Sequence, residues 1–115
     1  MISRQDVDDL FQKMRHAGWD MEQKQTWGYF FKDTSETKLS ELARKLVGLG
    51  YDFVDINQSY PDKLYWLHVE KTEIHTEQSL HQLNQSFYLL AKQHTIQDYD
   101  GMDISPADFE FIDEN

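Results

Sequence analysis

The chain has no cysteine, which excludes disulfide staples, thiolate nucleophiles and every metal site built on sulfur. Cations are also scarce. Eleven Lys and Arg stand against 21 Asp and Glu, a formal net charge of −10, and phosphate recognition needs clustered cations that such a surface does not supply. The imbalance argues against nucleic acid and anionic membranes as partners. It favours cationic protein surfaces, whose approach it would steer. Long apolar runs are missing too, for the largest cluster, Trp27 to Phe31, falls far short of the about 20 residues that cross a bilayer. Met1 to Arg15 alternates charged and apolar positions, unlike a secretory signal, so a cytoplasmic protein is expected. Only five glycines occur, and Gly48-Leu49-Gly50 closes a helix pattern, the wrong end for cradling phosphate.

What is present suits a packed core. Hydrophobic residues make up 39% of the 115 positions and aromatics 14%, and a chain of this length buries roughly two-thirds of the surface it exposes unfolded. One domain over residues 1–115 is expected, with 106–115 as a short acidic tail in which Phe109, Phe111 and Ile112 offer anchors.

The hydrophobic period changes several times along the chain. Ser3 and Asp6 form an N-cap with an acidic first turn, Val7, Leu10, Phe11 and Met14 follow at helical spacing, and Gly18 ends the run. Thr26 to Lys32 reads as a strand with Trp27, Tyr29 and Phe31 on one side and Thr26, Gly28 and Phe30 on the other. Gly28 inside it marks a bulge or a close contact with another element. Asp33 or Thr34 caps a second helix whose stripe is Leu39, Leu42, Ala43, Leu46 and Val47. Tyr51 to Asn57 and Leu64 to Lys71 read as strands joined through Ser59-Tyr60-Pro61-Asp62, a hairpin. Thr76 caps a third helix carrying Leu80, Leu83, Phe87, Leu90 and Ala91, and Ile96 to Ile104 is a weak last strand. Two strand-helix-strand halves around a hairpin predict an α+β, ferredoxin-like split βαβ sandwich, with a four-stranded antiparallel sheet ordered four-one-three-two and two helices on one face. The extra N-terminal helix could lie beside the sheet or across its open face.

Candidate chemistry is thin. His16, His68, His75, His81 and His94 include no pair at i, i+4, and no HExxH spacing occurs. His68 shares a strand face with Trp66 and Glu70, a half-exposed sheet position before it is an acid–base pair. His94 sits at a helix C-terminus, where it complements the dipole. Asp98, Asp100 and Asp103 do not make an EF-hand, because Gly101 falls fourth from Asp98 and the twelfth position is Phe109. No nucleophile elbow is present. Trp27, Tyr29, Phe31, Tyr65 and Trp66 could stack bases as RNA-recognition sheets do, but Asp52, Asp55 and Glu70 accompany them where such sheets interleave Lys and Arg. Most of this aromatic set is therefore core, and the rest either lies under the N-terminal helix or forms a patch for protein.

Trp27-Gly28-Tyr29-Phe30-Phe31, the helix from Leu39 to Tyr51 ending in Gly-Tyr, Trp66 to Glu70, and Tyr99-Asp100-Gly101 together resemble the regulator of ribonuclease E activity B (RraB) family over residues 4 to 104. Met102 stands where that family often has Trp, and the acidic tail is abbreviated. The resemblance implies a ferredoxin-like sandwich and a non-enzymatic ribonuclease E inhibitor that binds the endoribonuclease and restrains RNA processing without cleaving RNA.

The expected function is thus a regulator without catalytic residues, metal or cofactor, attached to ribonuclease E or its basic scaffold region. Asp98, Asp100, Asp103, Asp108, Glu110, Asp113 and Glu114 are the expected electrostatic face. Two other classes share the fold. One is an enzyme using the open sheet face, by analogy with small ferredoxin-like monooxygenases that bind an organic cofactor between sheet and helices, with His68 and Trp66 lining its pocket. The other is an immunity-type module that neutralises a basic toxin. The aromatic sheet face could also support a homodimer.

Overall fold

The computed structural model describes residues 1–107, and its elements follow the expected order. They are α1 (Arg4–His16), β1 (Gln25–Asp33), α2 (Glu36–Gly48), β2 (Asp52–Gln58), β3 (Tyr65–Glu73), α3 (Glu77–Gln93) and β4 (Asp98–Pro106). The last strand therefore runs to Pro106, where the tail was expected to begin. Asp108 to Asn115 lie outside the described residues.

Two helix starts are set by reciprocal capping boxes. Ser3 Oγ accepts from the Asp6 amide while the Asp6 carboxylate accepts from the Ser3 amide, and Thr76 and Ser79 repeat the arrangement at α3. The α2 start differs from the expectation. Its cap is Ser35, whose Oγ accepts from the Lys38 amide at 3.2 Å, rather than Asp33 or Thr34. Asp33 is instead a buried junction. One carboxylate oxygen accepts from the Ser35 amide and the other from the Gln97 amide, both at 2.8 Å, with the Lys38 ammonium 3.2 Å away. Burial alone would raise the Asp33 pKa, but the two amides and the ammonium outweigh it and hold the carboxyl below the usual range.

The strands form one antiparallel sheet ordered β2-β3-β1-β4, the order expected from the sequence. Trp27, Tyr29 and Phe31 of β1, Leu67 and Val69 of β3, and Tyr99 of β4 are buried on one face, against Leu39, Leu42 and Leu46 of α2 and Leu80 and Phe87 of α3. The Phe87 ring is the hub of this core, with Tyr29, Phe31, Tyr51 and Tyr99 at centroid distances of 5.0 to 5.6 Å.

The extra helix joins the same layer. Val7 and Phe11 of α1 are fully buried, Phe11 stacks on Trp27 at 5.9 Å, and the Ile2 amide donates to the Tyr88 hydroxyl at 2.7 Å. Arg15 reaches Glu77 at 2.8 Å. The helix thus lies against α3, and no helix among the described residues covers the opposite sheet face.

Candidate functional site

That uncovered face is built by the alternate residues of all four strands. In register across it lie Thr26, Gly28, Phe30 and Lys32 of β1 and Trp66, His68, Glu70 and Thr72 of β3. Asp52, Asp55 and Asn57 of β2 flank β3 on one side, and Asp98 and Asp103 of β4 flank β1 on the other. Asp100 joins them through a bulge opposite Phe30 and Phe31. Among the described residues its strands therefore carry six carboxylates here, Asp52, Asp55, Glu70, Asp98, Asp100 and Asp103, against one ammonium, Lys32.

Aromatic groups run through its centre. Phe30 stacks on the His68 ring at 4.4 Å, the Lys32 ammonium sits 5.3 Å from the Trp66 ring centre, and Trp66 Nε1 donates to Ser59 Oγ at 3.1 Å. Lys32 also lies 3.9 Å from the Asp98 carboxylate and 3.4 Å from that of Asp100. Two of the β4 carboxylates are thus already partly neutralised. Asp103 has no ion-pair partner among the described residues and hangs over Gly28, beside His68. A methyl group at position 28 would collide with the Asp103 carboxylate and approach His68 Nε2 at 2.8 Å. Gly28 is therefore a close-contact glycine, in register with both neighbours, rather than the site of a bulge. His68 Nε2 is itself buried without a hydrogen bond, the nearest Glu70 oxygen being 3.5 Å away.

Of the expected electrostatic residues, β4 carries Asp98, Asp100 and Asp103, while Asp108, Glu110, Asp113 and Glu114 lie outside the described residues. His68 and Trp66 lie on the sheet face away from the helices, and neither lines the groove beside α2 or the groove beside α3. Among the described residues no group of three or more His, Asp or Glu could hold a metal, and no helix is long and apolar enough to cross a membrane.

The sequence reading missed the Phe30–His68 stack and the Lys32 clamp. Both sit on alternate positions of paired strands, so their contacts depend on register, which periodicity does not supply. The arrangement leaves His68 Nε2 without a hydrogen-bond partner among the described residues. It offers negative potential with aromatic surface between, suited to a cationic protein segment.

The family model for the regulator of ribonuclease activity B matches residues 4–104. The chain belongs to that family. Its members regulate ribonuclease activity, so a protein partner is implied. No curated protein matches the chain closely.

Proposed function

We propose that this regulator of ribonuclease activity B family protein is a cytoplasmic, single-domain, non-enzymatic inhibitor of ribonuclease E. It binds a basic region of the nuclease, and Asp98, Asp100 and Asp103, with Asp108, Glu110, Asp113 and Glu114 beyond them, supply the electrostatic face. Family membership names the kind of target. The observation that supports this mode of binding is the excess of six carboxylates over one ammonium among the described residues of a sheet face over which no described helix lies. Asp103 is the strongest of the described β4 carboxylates for this purpose, since Lys32 already engages the other two.

The test is binding of the intact protein to immobilised ribonuclease E over a salt series, alongside its effect on RNA cleavage. Binding that falls on the order of tenfold or more from 50 to 200 mM salt is expected for contacts between exposed charges. Asp100→Lys with Asp103→Lys should weaken it further while leaving the far-UV spectrum unchanged. Failure to retain the nuclease at low salt, or cleavage that proceeds unchanged at saturating protein, would sink the reading.

A further inference from the structure

The two edges of the sheet are unlike. Among the described residues eight large hydrophobic side chains are exposed, and four of them, Val47, Leu49, Phe53 and Val54, cluster at the end of α2 and on β2. Their exposures run from 40% to 57%, whereas no such residue is exposed on β4. β2 is an edge strand, paired only with β3. Between it and α2 runs a groove of about 550 Å³ lined by Ala43, Val47, Phe53 and Ile56, with Ser40 and Arg44 at its side.

The bulge in β2 gives this edge two chemically distinct sides. Phe53 pairs with Val69 and Ile56 with Leu67, both on the core side, while Asp52 pairs with Glu70 and Asp55 with His68 on the open side. Strict alternation would have mixed them, since residues 53 and 56 are three apart. The extra residue at Val54 shifts the register by one and sorts the apolar pair from the acidic pair. Neither Asp52 nor Asp55 has an ion-pair partner among the described residues. Natural edge strands are usually guarded by charge, proline, a bulge or a covering element; β2 has no lysine or proline, and its guards, the bulge at Val54 and the two aspartates, would repel an acidic strand but attract a cationic one.

We infer that the outer edge of β2 accepts an added strand from a protein partner whose side chains alternate between apolar and cationic. Its main chain would extend the sheet, its apolar residues would enter the α2–β2 groove, and its Lys or Arg residues would meet Asp52 and Asp55. Arg44 lies on the groove side, so the cations of the partner belong on the other side of the added strand. A second copy of this chain is disfavoured as occupant. It would bring Asp52 and Asp55 against their own equivalents, between two molecules that each carry a net charge of −10. The inference rests on the reading above only in identifying the partner as a ribonuclease, and places a contact at the edge opposite β4.

The experiment uses the full chain and labelled eight-residue peptides. One alternates Val and Lys, a second has the same composition with the residues in two blocks, and a third alternates Val and Glu. The alternating Val/Lys peptide should bind at least tenfold more tightly than the other two and slow amide exchange within residues 52–58. Val47→Lys, at a half-exposed groove position, and the pair Asp52→Lys with Asp55→Lys should each weaken it about tenfold. Equal binding of the blocked isomer, or protection that falls on β4 instead, would overturn the inference. Ribonuclease E capture separates this idea from the broader one. Capture unaffected by both β2 variants defeats the added strand and leaves the inhibitor reading standing, whereas no capture beside alternation-dependent peptide binding does the reverse.

Discussion

Tyr99-Asp100-Gly101 is the most distinctive tripeptide of the chain, and each residue has a backbone or packing reason to be there. The Tyr99 ring is buried against Phe31, Phe87 and Tyr88, and its hydroxyl donates to Asn84 Oδ1 at 2.7 Å. Burial raises its pKa, so it remains a donor. Asp100 is the unpaired residue of the β4 bulge, and Gly101 beside it has φ of +131°, a conformation open to glycine at little cost. The bulge returns Met102 to the core side, where its sulfur accepts from Asn84 Nδ2 at 3.5 Å. Gly101→Ala should therefore destabilise the fold by about 1–3 kcal/mol through backbone strain. Crowding is not the cause, since the nearest atom to an added methyl is Ile2 Cδ1 at an ordinary 3.6 Å. Urea denaturation measures this directly, and an unchanged midpoint would show that the bulge relaxes without the glycine.

At the scale of elements, legibility followed the locality of the signal. The starts of α1 and α3 were readable because Ser3 with Asp6, and Thr76, act within one turn. The sheet order was readable from the sequence of strands and helices, since a hairpin between two crossovers leaves few arrangements. The α2 start was misplaced because Asp33 and Ser35 are both good caps on paper. What separates them is the Gln97 amide, 64 residues away, which recruits Asp33 into a junction of β1, α2 and the approach to β4. The β2 bulge was hidden for a similar reason, as only pairing with β3 decides which of Val54 and Asp55 is extra. The open-face carboxylates could be named but not matched with Lys32 until strands were in register. Asp33→Ala tests the junction. It leaves the Ser35 and Gln97 amides and the Lys38 ammonium without their shared acceptor, which should cost about 3 kcal/mol or more. Asp33→Asn, which keeps an oxygen but loses the charge, should cost less. Equal midpoints for the Ala variant and the parent would mean that water replaces the carboxylate freely.

For the molecule as a whole, the acidic excess that suits a cationic partner also sets how stability responds to pH. Two groups of residues titrate in separate windows. Asp33 and Glu77 have carboxyls held below their ordinary values. Backbone amides and Lys38 outweigh burial at Asp33, and the Arg15 hydrogen bond leads at Glu77. Their contribution is complete above the unfolded values near 4 and is lost as pH falls through the folded ones. His75 acts higher on the scale. It is buried between the Tyr29 hydroxyl at 3.2 Å, Ser79 Oγ at 2.8 Å and the Glu73 carboxylate at 3.0 Å, with the Trp27 ring edge-on. Burial pushes its pKa below the ordinary value, and the nearby Glu73 only partly opposes this. The folded state therefore prefers a neutral imidazole, while the unfolded chain takes up a proton near pH 6.5. Protons favour the unfolded state in that interval, so the stability is full above about pH 6.5 and declines as pH falls toward the folded pKa. Stability measured by urea should thus drop between pH 7.5 and 5.5, before the carboxylates begin to protonate. His75→Gln retains hydrogen-bonding capacity without a group that titrates there, so it should lower stability at pH 7.5 and flatten the dependence down to pH 5.5. If parent and variant lose the same stability across that interval, the sensitivity arises elsewhere in the acidic surface.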